Sequence, residues 1–372
     1  MKIALLGPIA WRTPPRAYGP WEQVVSLLAE GLVARGIDVT LFATLDSLTK
    51  ASLDGVCPEP YNERDDLDGR VWEALHVAHC LSRSGEFDLV HNHLDWLPLA
   101  MSPLCAAPMI TTVHGFSGPN ILPAYRRSRS HFVSISDADR APGLPYLATV
   151  HHGLDLSQFP LGDGSAGTLV AFGRIHPDKA TADAIEIAHR AGRPLVICGP
   201  VHDVSYFEEC VAPFVDGVSV RYLGNVGPAE RADILGGAVA LLHPLGFDEP
   251  FGLSVVEAMA CGTPVIAYPR GALPETVSHG VTGFLVDGVG EAAEAVVAAA
   301  RLDRNEVFAS ARRKFSADRM VDNYLRIYTD VTEGRTTALG EFTSGPYSQS
   351  LGVDGSERHR EHSHCRDPGR GA

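Results

Sequence analysis

The chain has 372 residues, 45% of them hydrophobic and 20% charged, which is enough for two domains with sizeable cores. A formal net charge of −14 argues against nucleic acid as a bulk electrostatic partner, although a basic cleft for an anionic substrate can sit in an acidic protein. The seven cysteines form no C-x-x-C pair, and no apolar run has the length of an export signal or a membrane span, so a cytoplasmic protein is expected.

Residues 2–6 read as a first buried strand. The breaker-rich loop 14–20 follows, then an amphipathic helix over 21–35 in which Val24, Val25, Leu28 and Leu32 recur at helical spacing. Pro20 suits the first turn of this helix and Gly36 its end. Strands are expected at 37–43, 87–91, 109–113 and 132–135. A helix over 66–84 is expected to bury Val71, Leu75, Ala78 and Leu81. The stretch 154–166 reads as a linker. The alternation then restarts, with strands at 169–172, 195–198 and 218–222 and helices at 181–191, 206–214 and 229–235. Helices at 291–301, 304–315 and 318–331 close the pattern. Strands alternating with helices imply two doubly wound parallel sheets, whose ligands bind at the carboxyl ends of the strands, in a cleft between the halves. From residue 334 the periodicity stops, and 340–372 reads as a polar, disordered tail.

The most informative stretch is 239–267, VALLHPLGFDEPFGLSVVEAMACGTPVIA. It reads as a buried strand, a tight loop, a helix over 253–260 and a second buried strand. Free N–H groups at the helix start, near Gly252 and Ser254, face whatever lies before the loop. Glu249 and Glu257 frame that spot with seven residues between them. Two carboxylates at that spacing are common by themselves; the full wording E-P-F-G-L-x-x-x-E-A-M-A-C-G-T-P-V-I-A is far more specific.

That wording resembles the retaining nucleotide-sugar glycosyltransferases of family four, which have the two-domain GT-B fold. The likeness runs over roughly 1–332 and is strongest from 169 to 286. It implies an acceptor-side domain over 1–160, a nucleotide-sugar domain over 161–316, and a helix over 317–333 that crosses back, before the tail at 334–372. F-G-R-I-H-P-D-K, residues 172–179, is similar to the family's G-R-[IL]-x-x-x-K-G, with Ala180 in place of the last Gly. Two cations at a helix start run against the helix dipole, so Arg174 and Lys179 fit a diphosphate better than a plain solvated surface. Tyr18-Gly19-Pro20-Trp21-Glu22 resembles the glycine-rich loop that approaches the donor phosphate and the acceptor; Gly19 is kept, and Pro20 replaces the second Gly. His114, after a buried strand, resembles the family histidine beside the donor sugar. His91-Asn92-His93 resembles the D-V-V-H-x-H region and reads as structural or acceptor-side. The junction motif V-x-N-G-V-D appears with His152 in place of Asn. Asn225 and Val226 resemble the loop whose backbone contacts the base, and 271–275, GALPE, continues the pattern.

The resemblance implies transfer of a hexose from a nucleotide diphosphate sugar to a hydroxyl acceptor, with no metal or other cofactor. Arg174 and Lys179 would hold the diphosphate and Glu257 the ribose hydroxyls. Glu249, with the N–H groups of Phe251, Gly252 and Leu253, would hold the sugar. Wording around Tyr206-Phe207 and 247–250 is similar to a subgroup with antibiotic-tailoring members. A sugar-nucleotide epimerase or phosphorylase and a non-catalytic sugar-nucleotide-binding module are the alternatives. The turn 7–10, Gly-Pro-Ile-Ala, is no G-x-G-x-x-G, which excludes a dehydrogenase. Asp66-x-Asp68 and Asp137-x-Asp139 read D-x-D, a metal–diphosphate pattern, yet each sits where an acid or a cap is favoured anyway. The His/Cys run 359–365 is read as composition.

Overall fold

Strands buried on both faces read as continuous apolar runs, and such runs become the middle of both sheets. The computed structural model describes residues 1–16, 19–115 and 117–335. Its first half contains β1 (Lys2–Leu6), α1 (Pro20–Ala34), β2 (Asp38–Phe42), β3 (Ser52–Asp54), α2 (Gly69–Ser82), β4 (Leu89–Asn92), α3 (Trp96–Met101), β5 (Met109–Val113), α4 (Leu122–Arg127), β6 (Ser130–Ser134) and β7 (Tyr146–Thr149). These strands pair in the order β3-β2-β1-β4-β5-β6-β7, all parallel.

The second half repeats the plan with β8 (Leu169–Phe172), α5 (Thr181–Arg190), β9 (Leu195–Cys198), α6 (Val204–Tyr206), β10 (Val220–Tyr222), α7 (Pro228–Gly237), β11 (Ala240–His243), α8 (Leu253–Ala260), β12 (Val265–Ala267), α9 (Leu273–Thr276) and β13 (Gly283–Leu285). Its order is β10-β9-β8-β11-β12-β13, again all parallel. Helices α10 (Val289–Ala299), α11 (Arg304–Phe315) and α12 (Ala317–Thr332) follow.

Helix α12 belongs to the second half by sequence and to the first by packing. Its Met320, Val321, Tyr324, Ile327 and Tyr328 lie in one core with Val24, Val25 and Leu28 of α1. Close approach is possible because α1 carries Gly31, where a Cβ would stand 2.5 Å from Val321 Cγ2. Polar ties fix the docking: Tyr328 Oη lies 2.6 Å from His91 Nδ1, Tyr324 Oη 2.7 Å from Thr112 Oγ1, and Arg35 pairs with Asp318 and Asp322 at 3.0 and 2.8 Å.

Three expectations change. Helix α2 does not bury the Val71–Leu75–Ala78 stripe: Val71 and Leu75 are 55% and 49% exposed, and Ala78 is exposed. The buried face carries His76, Val77, Cys80 and Leu81. His76 is tolerated inside because its Nε2 lies 3.0 Å from the Gly7 carbonyl, which pairs one ring nitrogen, while burial keeps the ring neutral. The helix expected over 206–214 is broken into α6, a π turn (Phe207–Val211) and a 3-10 turn (Ala212–Phe214), the last containing Pro213. The short strands β3, β7 and β13 escape sequence reading, being three or four residues long with weak patterning. The tail expected from 334 lies, beyond Arg335, outside the described residues.

Candidate active site

In each sheet the strand order reverses between the first and fourth strands, β1/β4 and β8/β11, and the loops leaving those ends part to open a crevice. Gly173 and Arg174 follow β8, and the loop carrying Glu249 follows β11, so both sides of the second crevice hold flagged residues. A cleft of about 530 Å³ runs between the halves. It is lined by Gly19, His114, Arg174, Lys179, Asn225, Glu249, Phe251, Gly252, Leu253 and Glu257. Val226 is the exception: it does not line the cleft, its side chain is 4% exposed, and it packs in the second-half core.

Local geometry explains the loop. Gly252 takes φ 87° as the N-cap of α8, and no side chain caps the Leu253–Ser254 end. Gly271 lets a second segment close against the loop. A Cβ there would fall 2.3 Å from the Glu249 carbonyl oxygen, which accepts the Ala272 N–H at 2.8 Å. Ala180 occupies the left-handed region at φ 47°, the conformation a glycine would adopt without strain.

Charge in the cleft is largely paired. Lys179 Nζ lies 2.7 Å from Glu249 Oε2 and 4.6 Å from the Phe247 ring centroid. Burial pushes the Glu249 carboxyl up, but His243 and the Lys179 ammonium outweigh it and hold the group down at about 2. His243 Nε2, at 3.7 Å, is beyond hydrogen-bond reach of Glu249 and burial keeps the ring below its ordinary value, so Lys179 is the direct partner. Glu257 Oε1 accepts from Arg231 Nη1 at 3.0 Å, while burial holds its carboxyl above the ordinary range against that pairing. Arg231 also lies over the Phe172 ring at 5.1 Å. No motif flagged Arg231, and its place on α7, distant in sequence from both Glu257 and Phe172, left no local signal. Among the described residues Arg174 has no ion pair, so it is the cleft cation without a carboxylate beside it.

The cleft floor is an aromatic stack that crosses from one half to the other. Trp21 lies over His114 with centroids 5.0 Å apart, His114 over His152 at 5.1 Å, and His152 meets Phe251 edge-on at 5.0 Å. Burial lowers His114 well below the ordinary histidine value and His152 to about 3, so both rings are neutral. His93 Nδ1 lies 3.1 Å from His114 Nε2, and His93 Nε2 3.3 Å from His91 Nδ1. The His-x-His pair therefore links the cleft to α12 through Tyr328.

The two D-x-D sequences have other partners. Asp66 pairs with Arg64, and Asp68 caps α2 by accepting from Arg70 and Val71 N–H. Asp137 accepts from the Thr149 hydroxyl, and burial raises Asp139 to about 7. Ser136 Oγ accepts the Asp139 N–H at 3.1 Å, as a cap would. Among the described residues no group of three or more His, Cys, Asp or Glu is arranged to hold a metal, and no helix is long and apolar enough to cross a membrane.

Residues 161–317 match the family described as glycosyl transferases group 1, and residues 21–141 match glycosyltransferase family 4. The D-inositol 3-phosphate glycosyltransferase of Mycobacterium sp. (strain KMS) is 31% identical over 260 residues, covering 57% of this chain and 58% of the relative. The chain thus spans under two thirds of that relative's length. Among solved structures, AviGT4, a glycosyltransferase involved in avilamycin A biosynthesis, superposes with TM-score 0.66 at 24% identity over 90% of this chain and 98% of the other. Anabaena Alr3699/HepE, in complex with UDP and glucose, superposes with TM-score 0.66 at 19% identity over 88% and 99%. At these identities the superpositions speak to the fold. With both halves matched in sequence and the whole architecture matched in space, the chain belongs to the group 1, family 4 glycosyltransferases and has their two-domain GT-B fold.

Proposed function

We propose that this protein is a retaining glycosyltransferase that transfers a hexose from a nucleotide diphosphate sugar to a hydroxyl acceptor without a metal, with the donor held by the half from residue 161 onward. The observation that carries this reading is Arg174, a cation at the β8 switch point with no carboxylate beside it, lining one cleft with the uncapped start of α8. A diphosphate needs both positive charge and N–H donors. Lys179, paired directly with Glu249 at 2.7 Å, lines the same cleft as Arg174 and would share its charge with the phosphate. Glu257 and Arg231 supply an acceptor and a donor for ribose hydroxyls, and Glu249 an acceptor for the sugar.

In this reading the bond from the anomeric carbon to the β-phosphate oxygen breaks as the acceptor oxygen bonds to the same face of that carbon. The acceptor proton passes to the departing phosphate oxygen. Negative charge grows on that phosphate in the transition state, where preorganised Arg174 and Lys179 count most. The Anabaena neighbour was solved with UDP and glucose, and the mycobacterial relative is named for a glycosyl transfer, which accord with this chemistry.

A thermal-shift screen against UDP-, GDP-, ADP- and dTDP-sugars tests the donor reading. A true donor at about 100 times its dissociation constant stabilises by about 2.7 kcal/mol, and no shift with any of them overturns the proposal. Product analysis separates transfer from epimerisation, phosphorolysis or binding alone. Excess EDTA is expected to leave turnover unchanged; activity lost on chelation and restored by Mn²⁺ or Mg²⁺ refutes the metal-free mechanism.

A further inference from the structure

The two walls of the cleft differ in chemistry. The first-half wall presents Pro15, Pro20, Trp21, Val24 and Leu27, with His114 stacked against Trp21. Among the described residues no Lys or Arg of the first half lines the cleft; Arg174, Lys179 and Arg231 all come from the second half. The nearest first-half cations in sequence point elsewhere. Arg12 donates to the Pro14 carbonyl at 3.2 Å, and Arg16 pairs with Asp46 and Glu63. The histidines on this side add no charge, because burial keeps His114 and His152 neutral.

The start of α1 would be the remaining source of positive potential on this wall, and it is already used. Pro20 at the first helical turn has no N–H to give. The buried Glu22 carboxyl group occupies that turn, accepting the Trp11 N–H at 3.1 Å and bonding its own N–H. A phosphate or carboxylate bound here would lose water and gain no cation. An uncharged ring would instead bury apolar surface against Trp21 and its neighbours.

We propose that the acceptor is an uncharged, ring-bearing hydroxyl compound seated by its apolar face on Pro20, Trp21 and Leu27, and not a phosphorylated sugar or other anion. This rests on the glycosyltransferase reading and specifies its second substrate. The neutral acceptor hydroxyl then faces the anomeric carbon from the first half while the charged donor stays against the second.

The test is calorimetric titration of the full chain, with and without UDP, using 4-nitrophenyl β-D-glucopyranoside as neutral probe and glucose 6-phosphate as anionic probe. The neutral probe is expected to bind at least about tenfold more tightly, and Trp21→Ala to weaken it about tenfold. Trp21→Phe keeps an aromatic face and should retain most of the affinity. Leu27→Lys places a cation on the wall and should shift the preference toward glucose 6-phosphate. The proposal is overturned if the wild type prefers glucose 6-phosphate, if the neutral probe fails to bind, or if neither Trp21→Ala nor Leu27→Lys changes the preference. The two readings fail separately: a missing nucleotide-sugar shift strikes the donor half, whereas these titrations read the first-half wall directly.

Discussion

Arg174 and Lys179 arrive at the cleft in different electrostatic states, and that difference is measurable. Each alanine variant is expected to cut kcat about 10²-fold, as loss of one donor to a developing charge does, with the two effects less than additive because both serve one phosphate. Stability should separate them. Lys179→Ala leaves the largely enclosed Glu249, its side chain 13% exposed, without its partner and should lower Tm, whereas Arg174→Ala orphans no carboxylate and should leave Tm nearly unchanged. Near-normal kcat in both folded variants would remove the diphosphate from this site. Glu22 makes a pH prediction of the opposite kind. Burial raises its carboxyl from 4.5 to about 7 in the folded chain. Between those values the unfolded chain gives up the proton first, so this group's contribution to stability falls as pH rises through the window. Glu22→Gln has no proton to lose and its carbonyl can still accept the Trp11 N–H. Its Tm should match wild type near pH 4.5 and exceed it above pH 7; a constant difference across that range would exclude the effect.

At the scale of elements, the α1–α12 contact and the bridge between the halves can each be broken singly. Gly31→Val puts branched carbon where Val321 already packs 2.5 Å from the Cβ position, and overpacking of this kind costs about 1–3 kcal/mol. Denaturant unfolding should show that loss; a wild-type midpoint would mean that α12 docks loosely. Glu275 on α9 reaches across to the first half, accepting N–H bonds from Asp137 at 2.9 Å and Ala138 at 2.6 Å. Ser136 Oγ donates to the Pro250 carbonyl beside it at 2.7 Å. Charge-assisted bonds of this sort contribute about 1.5–3 kcal/mol each, so Glu275→Ala should loosen the cleft. The expected readout is a higher KM for donor and acceptor together with unchanged far-ultraviolet circular dichroism, and unchanged KM values would show that the halves are held elsewhere. These contacts were not legible in sequence. Periodicity located β1, β5, β8, β9 and α11 to the residue, because a run that is buried on both faces or carries a clear stripe speaks for itself. It turned α2 the wrong way, because His76 is made compatible with the core by a carbonyl from β1's far end rather than by anything nearby in the chain.

At the scale of the whole molecule, the sequence by itself determined two alternating strand–helix halves and their parallel order, and singled out a short set of candidates: His114, Arg174, Lys179 and Glu249 in the segments that follow strands, and Glu257 within α8. It could do so because strand ends and Gly-bracketed loops are local features, and because a right-handed crossover leaves few ways to wind them. Tertiary structure decided what those residues face. Only folding brought Glu249 onto Lys179 and Arg231 onto Glu257, leaving Arg174 as the cleft cation without a carboxylate partner among the described residues. Only folding packed the Val226 side chain into the second-half core, stacked Trp21, His114, His152 and Phe251 across the cleft, and laid α12 on α1. The reason is that charge pairing, desolvation and packing depend on distances between residues tens to hundreds of positions apart, and one-dimensional spacing carries no record of them.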